Sequence, residues 1–413
     1  MMELAETLNR TVKLALDQGV AATIRDALAL FNGFRLHLHV PPGYSRSPGL
    51  EAAVLTLLNA APRTFLGGVA VSGSLDERCT LAWFAGRSLR DVAVGFGVRP
   101  AERAHDVPLL VAGATRFTAP GFALAIECTG IGFRLSPDGA RGSADDAPVE
   151  AGVAAAGAAL NEAFQHAYAR APLAGEREVV FELPALDGAR NWTSAWTIGL
   201  GHLGQAALWT IALGYRSSAM LELRLQDPDV VSTSSLSTCL LVGPADVGAA
   251  KTKAVARVLS RSRFRCATVS DPLELQRTAV VGTEEVALVA VDNVGLRRAL
   301  DKLWGPSIVE AGIGDGADSF TRIQLHLLPG SRLARDIWAG GDSRASRATD
   351  VSKPAYQAML AATKDECGTT LLAGRSVATP FVGAFAGALV SWLARGRPRP
   401  GSCAWSFDVN ALG

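Results

Sequence analysis

Gly199, Gly201 and Gly204 stand as Gly-Leu-Gly-His-Leu-Gly, directly after an apolar run and directly before the helix-forming stretch 205–213. Each glycine has its own purpose in such a turn. One permits the tight bend, one lets the backbone approach a phosphate, and one lets the helix pack closely on the strand. The helix N-terminus then offers unpaired N–H groups to an anion. A strand, LELRLQ, follows and ends in Asp227, 23 positions after Gly204. A carboxylate there accepts hydrogen bonds from ribose hydroxyls. Strand, glycine turn, helix, strand and acid in that order predict a nucleotide site. The fingerprint by itself also suits an NAD-dependent oxidoreductase, but no proton-transfer group for a nicotinamide can be identified in the sequence.

The residues beyond Asp227 point elsewhere. The chain reads Asp227-Pro-Asp229-Val-Val231-Ser-Thr-Ser-Ser235-Leu236-Ser-Thr238, then Asp246-Val-Gly248-Ala-Ala-Lys251. Asp292-Asn293 follow at the end of an apolar strand, with Arg297 a turn later, then VEAGIG at 309–314 and an apolar run at 380–393. In this order, across residues 190–400, the chain resembles the adenylating domain of ubiquitin-activating-like (ThiF-type) enzymes. Their pattern is D-x-D-x-V-x-x-x-N-L-x-R, D-V-G-x-x-K and D-N-x-x-x-R. The resemblance implies a Rossmann-like fold and ATP-dependent adenylation of the C-terminal carboxylate of a ubiquitin-like protein or a peptide. Such a step needs charge neutralisation around the phosphates more than a general base. ATP and Mg²⁺ are the implied cofactors. Gly199, Gly201, Gly204, Asp227, Asp229 and Asn293 would surround the nucleotide, with Asp227 on the ribose. Lys251 would be a point charge on the phosphates, and Asp292 would hold Mg²⁺.

Three positions depart from the family. Ser235 and Thr238 replace its asparagine and arginine, and His202 replaces the second glycine of a usual pair. The lost guanidinium calls for a substitute, and Arg10 and Arg190 are candidates. Without one, the fold would be a degenerate nucleotide-binding scaffold that docks a partner without turnover. Many relatives pass the acyl group onward to a cysteine as a thioester, because a thiolate is a good nucleophile near neutral pH. Of Cys79, Cys128, Cys239, Cys266, Cys367 and Cys403, the choice falls on Cys367. It lies in TKDECGTTLLAGRS, a polar stretch that reads as an exposed loop ahead of the closing apolar run. Cys128 and Cys266 sit in apolar strand-like segments, and Cys239 stands beside the nucleotide motif.

The elements that must position these groups alternate. Residues 3–30 have helical spacing, 34–40 read as a strand, 49–61 as a helix, 64–73 as a strand and 88–98 as a helix. Strands at 109–114 and within 122–135 complete a sheet-rich segment. A polar loop spans 136–148, an Ala-rich helix 150–171 and a strand 177–186. This rhythm predicts a layered α/β fold. Residues 1–188 form a second, diverged α/β domain, inactive or for recognition, since no glycine fingerprint lies between Val40 and Thr64. Residues 189–413 form the adenylating domain. The shared rhythm leaves room for a diverged duplication, hence an intramolecular pseudo-dimer or a homodimer.

Composition sets the outer bounds. Hydrophobic residues make up 49% of the 413, and 40 basic residues nearly balance 39 acidic ones. No global field therefore argues for nucleic acid or an anionic membrane. The first residues carry acids where an export signal carries bases, and no C-x-x-C pair suggests a zinc clamp. A cytoplasmic protein with reduced thiols is expected. The apolar stretch 376–393 contains Gly, Pro and Ser and reads as a buried helix rather than a membrane span. His37 and His39 alternate on one strand face and read as paired polar residues rather than metal ligands. The eight Trp residues are assigned mostly to the core.

Overall fold

The computed structural model describes residues 6–104, 106–113, 121–168, 173–216, 219–275, 277–314, 316–340, 350–398 and 403–412. Ala114 and residues 169–171, assigned above to a strand and a helix, lie outside them.

Two short helices, α1 (Lys13–Asp17) and α2 (Ile24–Asn32), precede the first sheet. Its chain order is β1 (Leu36–Val40), α3 (Pro48–Ala60), β2 (Val69–Gly73), α4 (Leu89–Gly95), β3 (Arg99–Pro100) and β4 (Leu109–Ala112). Then come β5 (Ala123–Cys128), β6 (Gly132–Ser136), α5 (Val149–Tyr168) and β7 (Val179–Glu182). Local chemistry sets the boundaries. Ser47 accepts from Leu50 N, and Pro48 takes the first helical position of α3, where its missing N–H is no loss. Strand β2 begins at Val69 rather than residue 64, because Gly68, at φ +115°, turns the chain just ahead of it. The strand expected at 177–186 stops at Glu182, and Pro184 separates it from β8 (Leu186–Ala189).

The second sheet begins at β9 (Ser194–Ile198) and continues through α6 (His202–Gly214), β10 (Leu221–Gln226), α7 (Lys251–Leu259) and β11 (Phe264–Val269). Next are β12 (Val280–Val281), β13 (Val286–Val289), α8 (Val294–Arg298), β14 (Leu303–Trp304), β15 (Ser307–Ile313) and β16 (Arg322–Leu328). The chain closes with α9 (Ala334–Ile337), α10 (Pro354–Thr363), α11 (Glu366–Ala373), α12 (Pro380–Arg395), β17 (Gly396–Pro398) and β18 (Ala404–Asp408).

The two large sheets share one topology. The first runs β3-β2-β1-β4-β5-β6-β7 and the second β11-β10-β9-β13-β15-β16-β18. In each, five parallel strands are followed by two antiparallel ones. Helices α3, α5, α12 and α6 pack in that order between the sheets. Among the described residues, the largest buried apolar cluster runs through both halves, including Leu55, Leu160, Phe385 and Leu208. Trp209 of α6 donates to Thr56 of α3 at 3.0 Å and packs against Trp83, Phe84 and Phe96. Trp304 departs from the core assignment, being 61% exposed. Among the described residues no helix is long and apolar enough to cross a membrane.

Candidate nucleotide site

In an open α/β sheet the ligand crevice lies beyond the carboxyl ends of the strands, where the strand order reverses. In the second sheet that point falls between β9 and β13, and a cavity of about 900 Å³ opens there. The turn after β9 forms its floor. Gly199 sits at φ +89°, where a Cβ would strike the Ala290 carbonyl, so only glycine suits it. A Cβ on Gly204 would run into the Gly199 carbonyl oxygen. Gly204 thus packs helix on turn and is not itself part of the cavity wall. Gly201 caps α6, and nothing lies within 4 Å of where its Cβ would stand. No side chain caps the helix, so its first N–H groups are left for an anion.

Asp227, 5% exposed, follows β10 and accepts from Leu200 N at 2.6 Å and Asp229 N at 2.8 Å. Burial raises its pKa, while Lys251 and these amides pull the other way. Lys251 opens α7, with Nζ 2.7 Å from Asp229 and 3.6 Å from Asp227. Burial alone would lower its pKa, but the two acids outweigh it and hold the ammonium above its ordinary value. Asp292 follows β13, is exposed, lines the cavity and has no hydrogen-bond or ion-pair partner among the described residues. Asn293 beside it caps α8, accepting from Leu296 N at 3.0 Å.

The substitute cations separate clearly. Arg10 reaches the cavity from the N-terminal arm, its backbone N bonded to Ser237 Oγ at 3.1 Å and its Nη1 to Ser376 O at 3.4 Å. Burial lowers its pKa, opposed by Cys239 and Asp292. Arg190 lies elsewhere, as a correction to the pair of candidates. It precedes β9 and bonds Ser307, at the start of β15, so it belongs to the opposite end of the sheet. Ser235 and Thr238 line the cavity where the family carries its asparagine and arginine. Ser235 is engaged locally with Ser232, at 3.0 Å. Their loop is held from behind by Arg63, which donates to Leu236 O and Val242 O. No sequence signal marked Arg63, since it lies in the other half and acts on backbone carbonyls. His202, on the cavity wall, is pushed down to about 4 by burial, then by Arg10 and Lys251, so its imidazole is neutral at pH 7.

Cys367 is exposed but lies on helix α11, which corrects the loop assignment. The Asp365 side chain caps that helix by accepting from Gly368 N at 2.9 Å, and Leu372 and Ala373 bury its inner face. Tertiary burial outweighs the weak helix propensity of its Gly and Thr residues. Thr370 and Leu371 of α11 line the cavity. Cys367 is four residues from Leu371, one helical turn or roughly 6 Å along the axis. Cys239 also lines the cavity, with its thiol pKa raised by burial.

Two family models match the chain: the BilD N-terminal domain over residues 35–183 and the BilD C-terminal domain over residues 192–395. A bacterial E1-like protein BilD from Collimonas sp. (strain OK412) is 34% identical over 411 residues, covering 93% of this chain and 87% of the relative. Among solved structures, E. coli MccB matches at 12% identity and TM-score 0.36, over 54% of this chain and 60% of that one. MccB with AMPCPP and MccA matches at 13% identity and TM-score 0.36, over 54% of this chain and 62% of that one. PaaA matches at 17% identity and TM-score 0.31, again over 54% and 62%. The chain therefore spans less than two thirds of the solved structures it resembles.

Proposed function

We propose, from the premise that this chain belongs to the BilD family of bacterial E1-like proteins, that its cavity binds ATP and adenylates the C-terminal carboxylate of a ubiquitin-like protein or peptide. One observation carries the reading. The cavity joins Gly199, Gly201, Asp227, Lys251 and Asp292 of the second sheet to Arg10 of the N-terminal arm. Asp227 suits the ribose, and the amino end of α6 suits the phosphates. Lys251, held between two acids at the rim, can exchange that contact for a phosphate oxygen. Arg10, on the cavity wall, would supply the guanidinium absent at Thr238, which favours turnover over a scaffold that only docks a partner.

Asp292 fits a Mg²⁺ site of the kind that uses one carboxylate plus phosphate oxygens and water. Among the described residues no three His, Cys, Asp or Glu gather into an all-protein cage. Bound there, the ion would supply charge neutralisation on the phosphates. The donor carboxylate, already anionic, attacks the α-phosphorus. The bond to pyrophosphate breaks and an acyl-adenylate remains. The Cys367 thiolate then attacks the acyl carbonyl, the C–O bond to AMP breaks and a thioester forms, the thiol proton having passed to solvent. The two halves act as an intramolecular pseudo-dimer in which the first is a recognition or inactive unit.

The test is ATP–pyrophosphate exchange with candidate carboxyl partners, alongside calorimetry. Asp292→Ala and Lys251→Ala should each weaken ATP binding and lower exchange by about a hundredfold. Cys367→Ser should keep exchange and lose the reductant-sensitive conjugate. Equal or tighter binding of NAD would overturn the adenylation reading, and a conjugate persisting on Cys367→Ser would remove that residue as acceptor.

A further inference from the structure

Among the described residues, four cations line the cavity: Arg10, Lys251, Arg297 and Arg375. Strand order divides their duties. Along the carboxyl edge of the sheet, Asp227 follows β10, the glycine turn follows β9, Asp292 follows β13, and Gly312 is the next-to-last residue of β15. With neighbouring strands about 4.8 Å apart, β15 lies roughly 14 Å from the ribose acid, past the phosphate turn and the Asp292 carboxylate. Lys251 stands at the ribose end of this row through its contacts with Asp227 and Asp229. Arg10 is tied to Ser237 in the loop after β10, and Arg375 is ion-paired with Glu6. Arg297 alone among the four is built into the β15 end.

Its mounting is an ion pair to a buried acid. Nε lies 2.9 Å from Oε1 of Glu310, a carboxylate only 1% exposed on β15. The other oxygen of Glu310 lies 2.8 Å from Nδ1 of His326, its direct cross-strand neighbour on β16. His326 is fixed in turn by edge-on packing against Trp338, with ring centroids 5.0 Å apart. The guanidinium is therefore ion-paired to Glu310 through Nε, a charge contact rather than an aligned hydrogen bond, and its two amino groups lie against Gly312 on the cavity wall. A Cβ on Gly312 would stand 2.9 Å from Nη2 and 3.1 Å from Nη1. An arginine fork presented in this way matches the planar geometry of a carboxylate.

We propose that Arg297 is the receptor for the terminal carboxylate of the acyl donor, with Glu310 and His326 as positioning residues and Gly312 leaving space for the fork. The assignment rests on the adenylation reading, since it is the donor carboxylate that must be brought beside the α-phosphate. Binding it at the β15 end brings the nucleophile in past Asp292, leaving the ribose side to the nucleotide. The donor is anionic and approaches a cavity that also holds Asp227, Asp229 and Asp292. Without a cation on its own side it would be repelled rather than oriented.

The experiment uses N-acetyl-glycylglycine as free acid and as its C-terminal amide. Both are titrated by ligand-observed NMR into the full chain saturated with a non-hydrolysable ATP analogue and Mg²⁺. Wild type should prefer the acid by about tenfold or more, the scale of a charge-assisted bidentate contact. Arg297→Ala and Gly312→Ala should erase that preference, and Arg297→Lys should restore part of it. Glu310→Gln should reduce it several-fold while the affinity for the ATP analogue stays within a factor of about two in every variant. Gly312→Ala removes no charge, so it separates displacement of the fork from loss of a buried ion pair. Equal affinities for acid and amide in wild type, or a preference surviving Arg297→Ala, would overturn the assignment. Failure of wild type to bind the ATP analogue would instead overturn the adenylation reading.

Discussion

His37 shows how a single buried side chain links this fold to pH. It is 1% exposed on β1, with Nε2 2.8 Å from Ser72 Oγ, and His39 Nδ1 lies 3.0 Å from the same hydroxyl. Two imidazoles sharing one serine are a satisfied polar cluster, more deeply buried than a half-exposed strand face would make it. Burial, then His39 and Arg103, push the His37 pKa from 6.5 down to about 4. A depressed histidine makes the unfolded chain bind the proton first. Stability therefore rises with pH across this window and is lost as pH falls from 6.5 toward 4. The contribution from one such group is at most about 3 kcal/mol. Urea unfolding at pH 7 and pH 5 should show His37→Gln with a shallower loss than wild type. Identical losses would refute the neutral buried state.

At the scale of elements, the helix layer between the sheets is assembled on glycines. A Cβ on Gly157 of α5 would stand 2.6 Å from Phe381 O and 2.9 Å from Phe385 N of α12. One on Gly152 would strike Gly49 O of α3. On α12, a Cβ at Gly387 would stand 2.6 Å from Ala207 N and 2.7 Å from the Ala206 Cβ of α6. The backbones approach too closely for any side chain, so Gly387→Ala must drive α12 and α6 apart. A cost of about 1–3 kcal/mol follows from overpacking, despite the better helix propensity of alanine. Because α6 carries the glycine turn of the proposed nucleotide site at its amino end, ATP affinity should fall with it. An unchanged urea midpoint together with unchanged ATP affinity would show that the layer can yield without strain.

Over the whole molecule, one topology is used twice and only one copy bears a nucleotide fingerprint. The loop after β1 shows why the other copy differs. Its Gly43 N and Ser45 N donate to Glu77, and Ser45 Oγ donates to the same carboxylate at 2.6 Å. Glu77 follows β2, as Asp227 follows β10 in the matching position of the second sheet. Burial would raise its pKa, but the bonds from Ser45 and Gly43 hold it below the usual value, so a charged internal anion already takes the loop amides. Calorimetry of the full chain should therefore give one ATP per protein, with the heat abolished by substitutions at the second sheet alone. A stoichiometry of two would overturn this division between the halves.

Sequence by itself determined the α/β class and the strand–turn–helix unit around Gly199. These depend on contacts close in sequence: a positive φ, a glycine packed under its own turn, a serine or threonine ahead of a helical proline. The E1-like class was legible for a related reason, since spaced acids and glycines mark the ends of successive strands. Tertiary structure decided the rest. Arg10 and Arg63 act on the cavity from residues that precede the glycine turn by more than a hundred positions, which no local periodicity records. Cys367 sits on a helix because burial of Leu372 and Ala373 outweighs a Gly- and Thr-containing sequence. Arg297 belonged to a visible motif, yet its ion pair with Glu310 joins distant positions, and His326 meets that same acid only because β15 and β16 pair in antiparallel register. Backbone preference is written locally, whereas desolvation and cross-strand neighbours arise only when distant segments close on one core.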